Sequence, residues 1–149
     1  MSVEIQHGGL VVDVPEGWAD QSTLLFVAPP QSHAAPTVSK VAAPTEAIAI
    51  RFRVSNQQDA AALLGEEAAG LRSTDPELAL VEEGPFRSGL GVGAFVIHRL
   101  QVAQTPLLQM STATVLGPIC ILATASAAEA RFPRVRAELE RALSSMRFA

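Results

Sequence analysis

Tyrosine is absent from this 149-residue chain, tryptophan and cysteine occur once each, and histidine occurs only three times. Each scarcity removes a class of explanation. With Cys120 alone, no disulfide can form within the chain. The residue sits in the apolar string GPICILATA, where a thiol acts as a small buried hydrophobe. His7, His33 and His98 are dispersed, with no pair at the i, i+4 spacing of a helical metal site. The expectation is therefore no metal and no cofactor. No apolar run approaches the roughly 18 residues of a membrane span, and the start MSVEIQHGG has no basic region followed by an apolar stretch and a cleavage site. A cytoplasmic chain that does not insert into a membrane is expected. Cations are also few, 11 Lys and Arg against 15 Asp and Glu for a net charge of −4, which argues against nucleic acid as a partner.

Apolar residues, in contrast, are plentiful. A hydrophobic share of 48% is ample for one core in a single domain spanning 1–149. The strongest pattern is alternation. In AIAIRFRV, Ile48, Ile50, Phe52 and Val54 share one parity, and Arg51 and Arg53 the other, which predicts a strand with one buried face. Similar patterns predict strands over 3–6, 10–14, 23–27, 78–82, 92–102, 107–116 and 119–125, separated by the turn-forming HGG, PEG, SGLG, QTP and LGP. Two segments have helical spacing. Ala60, Leu63, Leu64, Ala68 and Leu71 fall on one face, with Ser55 and Gln58 spaced as a capping box. Phe132, Val135, Leu139, Leu143 and Met146 define a second helix, with Pro133 in its first turn and Arg134 one turn before Glu138. Residues 29–45 have neither period and contain four prolines, which predicts an extended surface loop. The order gives an α+β fold, a single antiparallel sheet flanked by two helices.

A catalytic constellation is missing. Glu66–Glu67 and Glu82–Glu83 are sequence neighbours, and neighbours on a helix or strand diverge, so both pairs read as solvated charge. GLGVG lacks the Lys-Ser/Thr of a phosphate loop and leads into a strand, which predicts a hairpin turn. The arginines of the last helix alternate with glutamates in an ordinary wet face. His98 lies mid-strand beside an arginine, without a nucleophile in a recognisable setting. No catalytic residue is assigned, and a binding or scaffolding role is expected. Several strands are apolar at both parities, as with Leu24 and Phe26 against Leu25 and Val27, or Leu108 and Met110 against Leu107. Either the long loop and a second copy cover the extra face, or that face accepts an apolar ligand.

The stretch VPEGWADQSTLLFVAP, the helix end LRSTDPELALVEEGPF and the close ILATASAAEARFPRVRAELERALSSMRF, in this order and spacing, resemble the DcrB-related bacterial family across nearly the whole chain. The resemblance implies a fold similar to the photosystem protein PsbP and the Ran-binding protein Mog1, an antiparallel sheet flanked by helices. One branch of that family consists of exported lipoproteins. The other consists of Eag proteins, dimeric cytoplasmic chaperones whose sheet faces shelter the N-terminal apolar helices of type VI secretion effectors. The absence of an export signal and the apolar strand surplus fit the second branch. That branch implies a homodimer and, as partner, a hydrophobic helical segment. Leu24 and Phe26 match its groove, Ile48 and Ile50 extend it, and Gln109 in LLQM stands where related chains place a glutamine for client backbone. A DcrB-like scaffold of unrelated role is the alternative. Trp18, following the Pro15-Glu16-Gly17 turn, reads as a structural plug over the sheet edge.

Overall fold

The computed structural model describes residues 46–148 with their side chains, together with the backbone of three earlier strands, β1 (Ser2–His7), β2 (Leu10–Pro15) and β3 (Thr23–Val27). Trp18 and the predicted loop over 29–45 lie outside the described residues, as do the side chains of Leu24 and Phe26. After β3 come β4 (Ala47–Val54), α1 (Ala60–Thr74), β5 (Ala79–Ser88), β6 (Gly91–Val102), β7 (Thr105–Leu116), β8 (Ile119–Ala128) and α2 (Phe132–Ser144). The fold is α+β, as the periodicities predict. β1 and β2 pair with each other in a two-stranded ribbon, and β3 to β8 form one antiparallel sheet of six strands in the order β3-β4-β8-β7-β6-β5.

Hairpins build β5 through β8, and their turns need backbone that L-residues seldom adopt. Between β6 and β7 the chain reverses over Ala103 and Gln104, both at positive φ (51° and 67°), the geometry of a two-residue hairpin usually assigned to Asn-Gly. Gly117, φ 63°, serves the β7–β8 turn without a side-chain penalty.

The helices lie on opposite faces of the sheet. α2 presents Phe132, Leu139 and Leu143 to Phe86, Ile97, Met110, Ala123, Ala125 and Ala127. α1 sets Leu63 and Leu64 against Ala113, Cys120 and Leu122. Alternation along each strand sorts these two sets, and each fully buried aliphatic side chain is worth about 1.5–3 kcal/mol. Strands apolar at both parities follow directly, since each parity has its own helix. Met110 is buried towards α2, and Ala113 towards α1.

α1 begins differently from its predicted capping box. Asp59 is the N-cap, its carboxylate accepting from the Ala62 N–H at 2.8 Å. Ser55 is buried four residues earlier, where its hydroxyl donates to the Gly117 carbonyl at 2.9 Å and its backbone N–H to that of Pro118. Glu66 and Glu67, expected to be simply solvated, reach back to β4. Arg53 bridges both, with Nη1 2.9 Å from Glu67 Oε1, and Arg51 joins Glu67. Gln58 donates to Glu66 at 2.6 Å. These are partly exposed pairs that contribute little to stability; they tie α1 to β4. On α2, Arg136 rather than Arg134 carries the ion pairs, to Glu140 at 2.7 Å and to Glu82.

Candidate functional site

Register across the central strands assembles the site. One row runs His98, Gln109, Ser126, Ala47 over β6, β7, β8 and β4; the next runs Val96, Ser111, Thr124, Ala49. Both share the parity of Ala113 and Leu122, so they lie on the α1 side of the sheet. α1 packs along β6 and β7 and touches β4 through its charged side chains. Gln109, Ser111, Thr124 and Ser126 therefore form a two-by-two polar patch on the central strands, flanked by the small Ala47 and Ala49. Ser111 is buried and the other three are half-buried. Gln109 Nε2 donates to Ser111 Oγ at 3.3 Å, a long bond, and among the described residues no donor reaches the amide carbonyl.

His98 closes one end of this row. It is 3% exposed. Burial holds its pKa below the ordinary imidazole range, and the positive charge of Arg72 adds to that, against a smaller opposing pull from Glu83. The ring is accordingly neutral near pH 7. At the other end of the sheet, Arg131 grips Glu46 just before β4, with Nε 2.7 Å from Oε1. Burial works to raise the Glu46 pKa, but its own backbone N–H and Arg131 outweigh this and lower it. Cys120 is fully buried beneath α1, and burial pushes its thiol pKa up, so it is a packing residue rather than a nucleophile.

The predicted binding residues divide between the two faces. Ile48 and Ile50 are half-buried on the α2 side, packed against the Ala123 and Ala125 core. Leu24 and Phe26 stand opposite Ile50 and Ile48 in the β3–β4 register. Gln109 lies on the other face, so the structure does not join it to the isoleucines in one groove. Its actual companions, Ser111, Thr124 and Ser126, were not singled out from the sequence. Their signal was the polar parity in LLQMSTATV and ILATASA, which is meaningful only once the two strands are paired. Among the described residues, no group of three or more His, Cys, Asp or Glu side chains converges to hold a metal, and no helix is long and apolar enough to cross a membrane.

The architecture defines an α+β domain with helices on both faces of an antiparallel sheet, and a polar patch beside one of them. In sequence, the chain matches no family model and no curated protein. In structure it is similar to PA94 of Pseudomonas aeruginosa, a protein of unknown function proposed as a regulator. The match has a TM-score of 0.75 at 13% identity and covers 99% of this chain and 97% of that one. At that identity the likeness establishes a shared fold.

Proposed function

We propose that this chain is a non-enzymatic cytoplasmic adaptor or chaperone. Acting as a homodimer, it shelters the apolar N-terminal helices of a type VI secretion effector against a sheet face. The observation that carries this reading is the Gln109, Ser111, Thr124 and Ser126 patch on the α1 face of the sheet, where α1 packs mainly along β6 and β7 and meets β8 at Cys120 and Leu122. An apolar helix laid in water needs a surface that excludes solvent, together with a few polar groups that fix its position. Ala47 and Ala49 give a flat floor for close approach, and the Gln109 amide supplies both a donor and an acceptor for exposed client backbone. The resemblance of the chain to the DcrB-related family and its Eag branch supports the same assignment.

The test is co-expression of the full chain with the apolar N-terminal segment of an effector encoded beside it. The expected result is a soluble client with the wild type, and loss of client solubility with Gln109→Leu, Ser126→Leu or Ala49→Phe while the melting temperature of the chain is unchanged. Soluble client with all three variants would sink the patch as its binding surface. Leu24→Asp and Phe26→Asp, at the opposite-face register positions, test the α2 side in the same assay. The likeness to PA94 favours, as second reading, a DcrB-like binding protein with a regulatory role unconnected to secretion. That reading predicts that no effector segment is stabilised and that a different partner is recovered.

A further inference from the structure

The six-stranded sheet ends in two edges of opposite character. At one end β5 carries Glu82, Glu83, Pro85 and Arg87, all exposed, and its pairing with β6 is irregular between Leu80 and Glu82. Charge, proline and a bulge are the features that stop a further strand from adding to an edge. At the other end β3 has the sequence Thr-Leu-Leu-Phe-Val, with no charge, proline or glycine, and it pairs with β4 over five consecutive residues without a break. Among the described residues no strand pairs with its outer side.

We propose that β3 is the seam of a dimer, pairing antiparallel with β3 of a second copy so that two six-stranded sheets become one of twelve. The occupant is a copy of the same strand because an antiparallel edge is self-complementary about a two-fold axis. Thr23 then faces Val27, Leu24 faces Phe26, and Leu25 faces its own counterpart. An uncharged strand meets no repulsion from itself and holds no charge code selecting a different sequence. The protected β5 edge restricts growth to one side, so association closes at two copies instead of continuing into a fibre. This seam rests on the adaptor reading for the dimer itself, and its test is separable from the client assay.

Directly opposed residues of antiparallel strands have Cα atoms about 4.5–5.5 Å apart, inside the roughly 4.4–6.8 Å span of a disulfide. The native Cys120 is fully buried and does not compete. Purified full-length Leu25→Cys should therefore convert to a covalent dimer under mild oxidation, whereas Arg87→Cys on β5 should not. Light scattering of the wild type should give twice the 15.7 kDa of the chain. A misfolded chain would expose Cys120 and cross-link at either variant, so the Arg87→Cys control and a melting temperature matching the wild type confine the result to the folded seam. A monomeric wild type, a dimer that fails to cross-link at Leu25→Cys, or one that cross-links at Arg87→Cys would each overturn the seam. Client solubility retained alongside any of these results removes the seam, and a monomeric wild type removes the homodimer as well, while the sheltering of the client by the sheet face stands.

Discussion

Two glycine-to-alanine substitutions should move stability in opposite directions, and the difference follows from backbone geometry. Gly93 in β6 lies where β7 comes unusually near, and a Cβ built there would stand 2.0 Å from the Ala113 carbonyl oxygen and 3.0 Å from Thr114 Oγ1. The first distance is about 1 Å inside any contact that real Cβ atoms make, and the obstacle is main chain, which cannot rotate away. Overpacking commonly costs about 1–3 kcal/mol, and an unyielding carbonyl puts Gly93→Ala at about 3 kcal/mol or above. For a chain of this size that is a fall in melting temperature of roughly 6–12 °C. Gly65, exposed on α1, has nothing within 4 Å of the same position. There alanine restores helix propensity, gaining about 1 kcal/mol, or roughly 2–4 °C. Thermal unfolding followed by circular dichroism, with urea titration to confirm that the m-value is unchanged, measures both. Gly93→Ala melting within about 2 °C of the wild type, or Gly65→Ala lowering the midpoint, would refute the described β6–β7 approach or the exposure of α1.

Thr114 is 1% exposed and its hydroxyl has no hydrogen-bond partner among the described residues, so Thr114→Val should raise stability by about 1 kcal/mol in urea titration, because an unpaired buried polar group is removed. The left-handed Ala103-Gln104 turn should tighten on replacement by Asn-Gly, with a gain of about 1–2 kcal/mol for the double variant A103N/Q104G and slower unfolding in stopped-flow experiments. His98 has a folded-state pKa below its unfolded value near 6.5, because burial and then Arg72 disfavour the imidazolium. The unfolded chain therefore takes up the proton first. Stability is full above pH 6.5 and falls as pH drops from there towards the folded-state pKa. Comparing the pH dependence of unfolding for wild type and His98→Phe isolates this contribution, which should be absent from the variant between pH 7 and 5.

How far the sequence reveals this structure depends on the range of the interaction concerned. β4 is legible in AIAIRFRV and α2 in its three- and four-residue spacing, because both patterns are local and follow from strand and helix geometry. The start of α1 was not. Ser55 has the composition of a cap, but its hydroxyl is taken by Gly117, 62 residues away, and Asp59 assumes the role. The partners of Glu66 and Glu67 were likewise hidden, since the arginines of β4 face them only after α1 has crossed the sheet. Gln109 could be singled out, but not the face it shares. Its separation from Ile48 and Ile50 is a matter of parity between strands that meet through long-range pairing. The apolar surplus at both parities was read as needing the long loop, a second copy or an apolar ligand for cover, whereas for β6, β7 and β8 the chain's own two helices, on opposite faces, provide much of it.

The placement of β4 between β3 and β8 also has a consequence for synthesis. β5 to β8 are joined by hairpins and can collapse as soon as they leave the ribosome, whereas β4, which can pair early with β3, must wait for its second ladder, since residues 47–54 meet 119–126 only after β5 to β7 have been made. Closing so large a loop is entropically costly and slow. Until then the alternating isoleucines of a half-made chain are open to whatever else is nascent nearby.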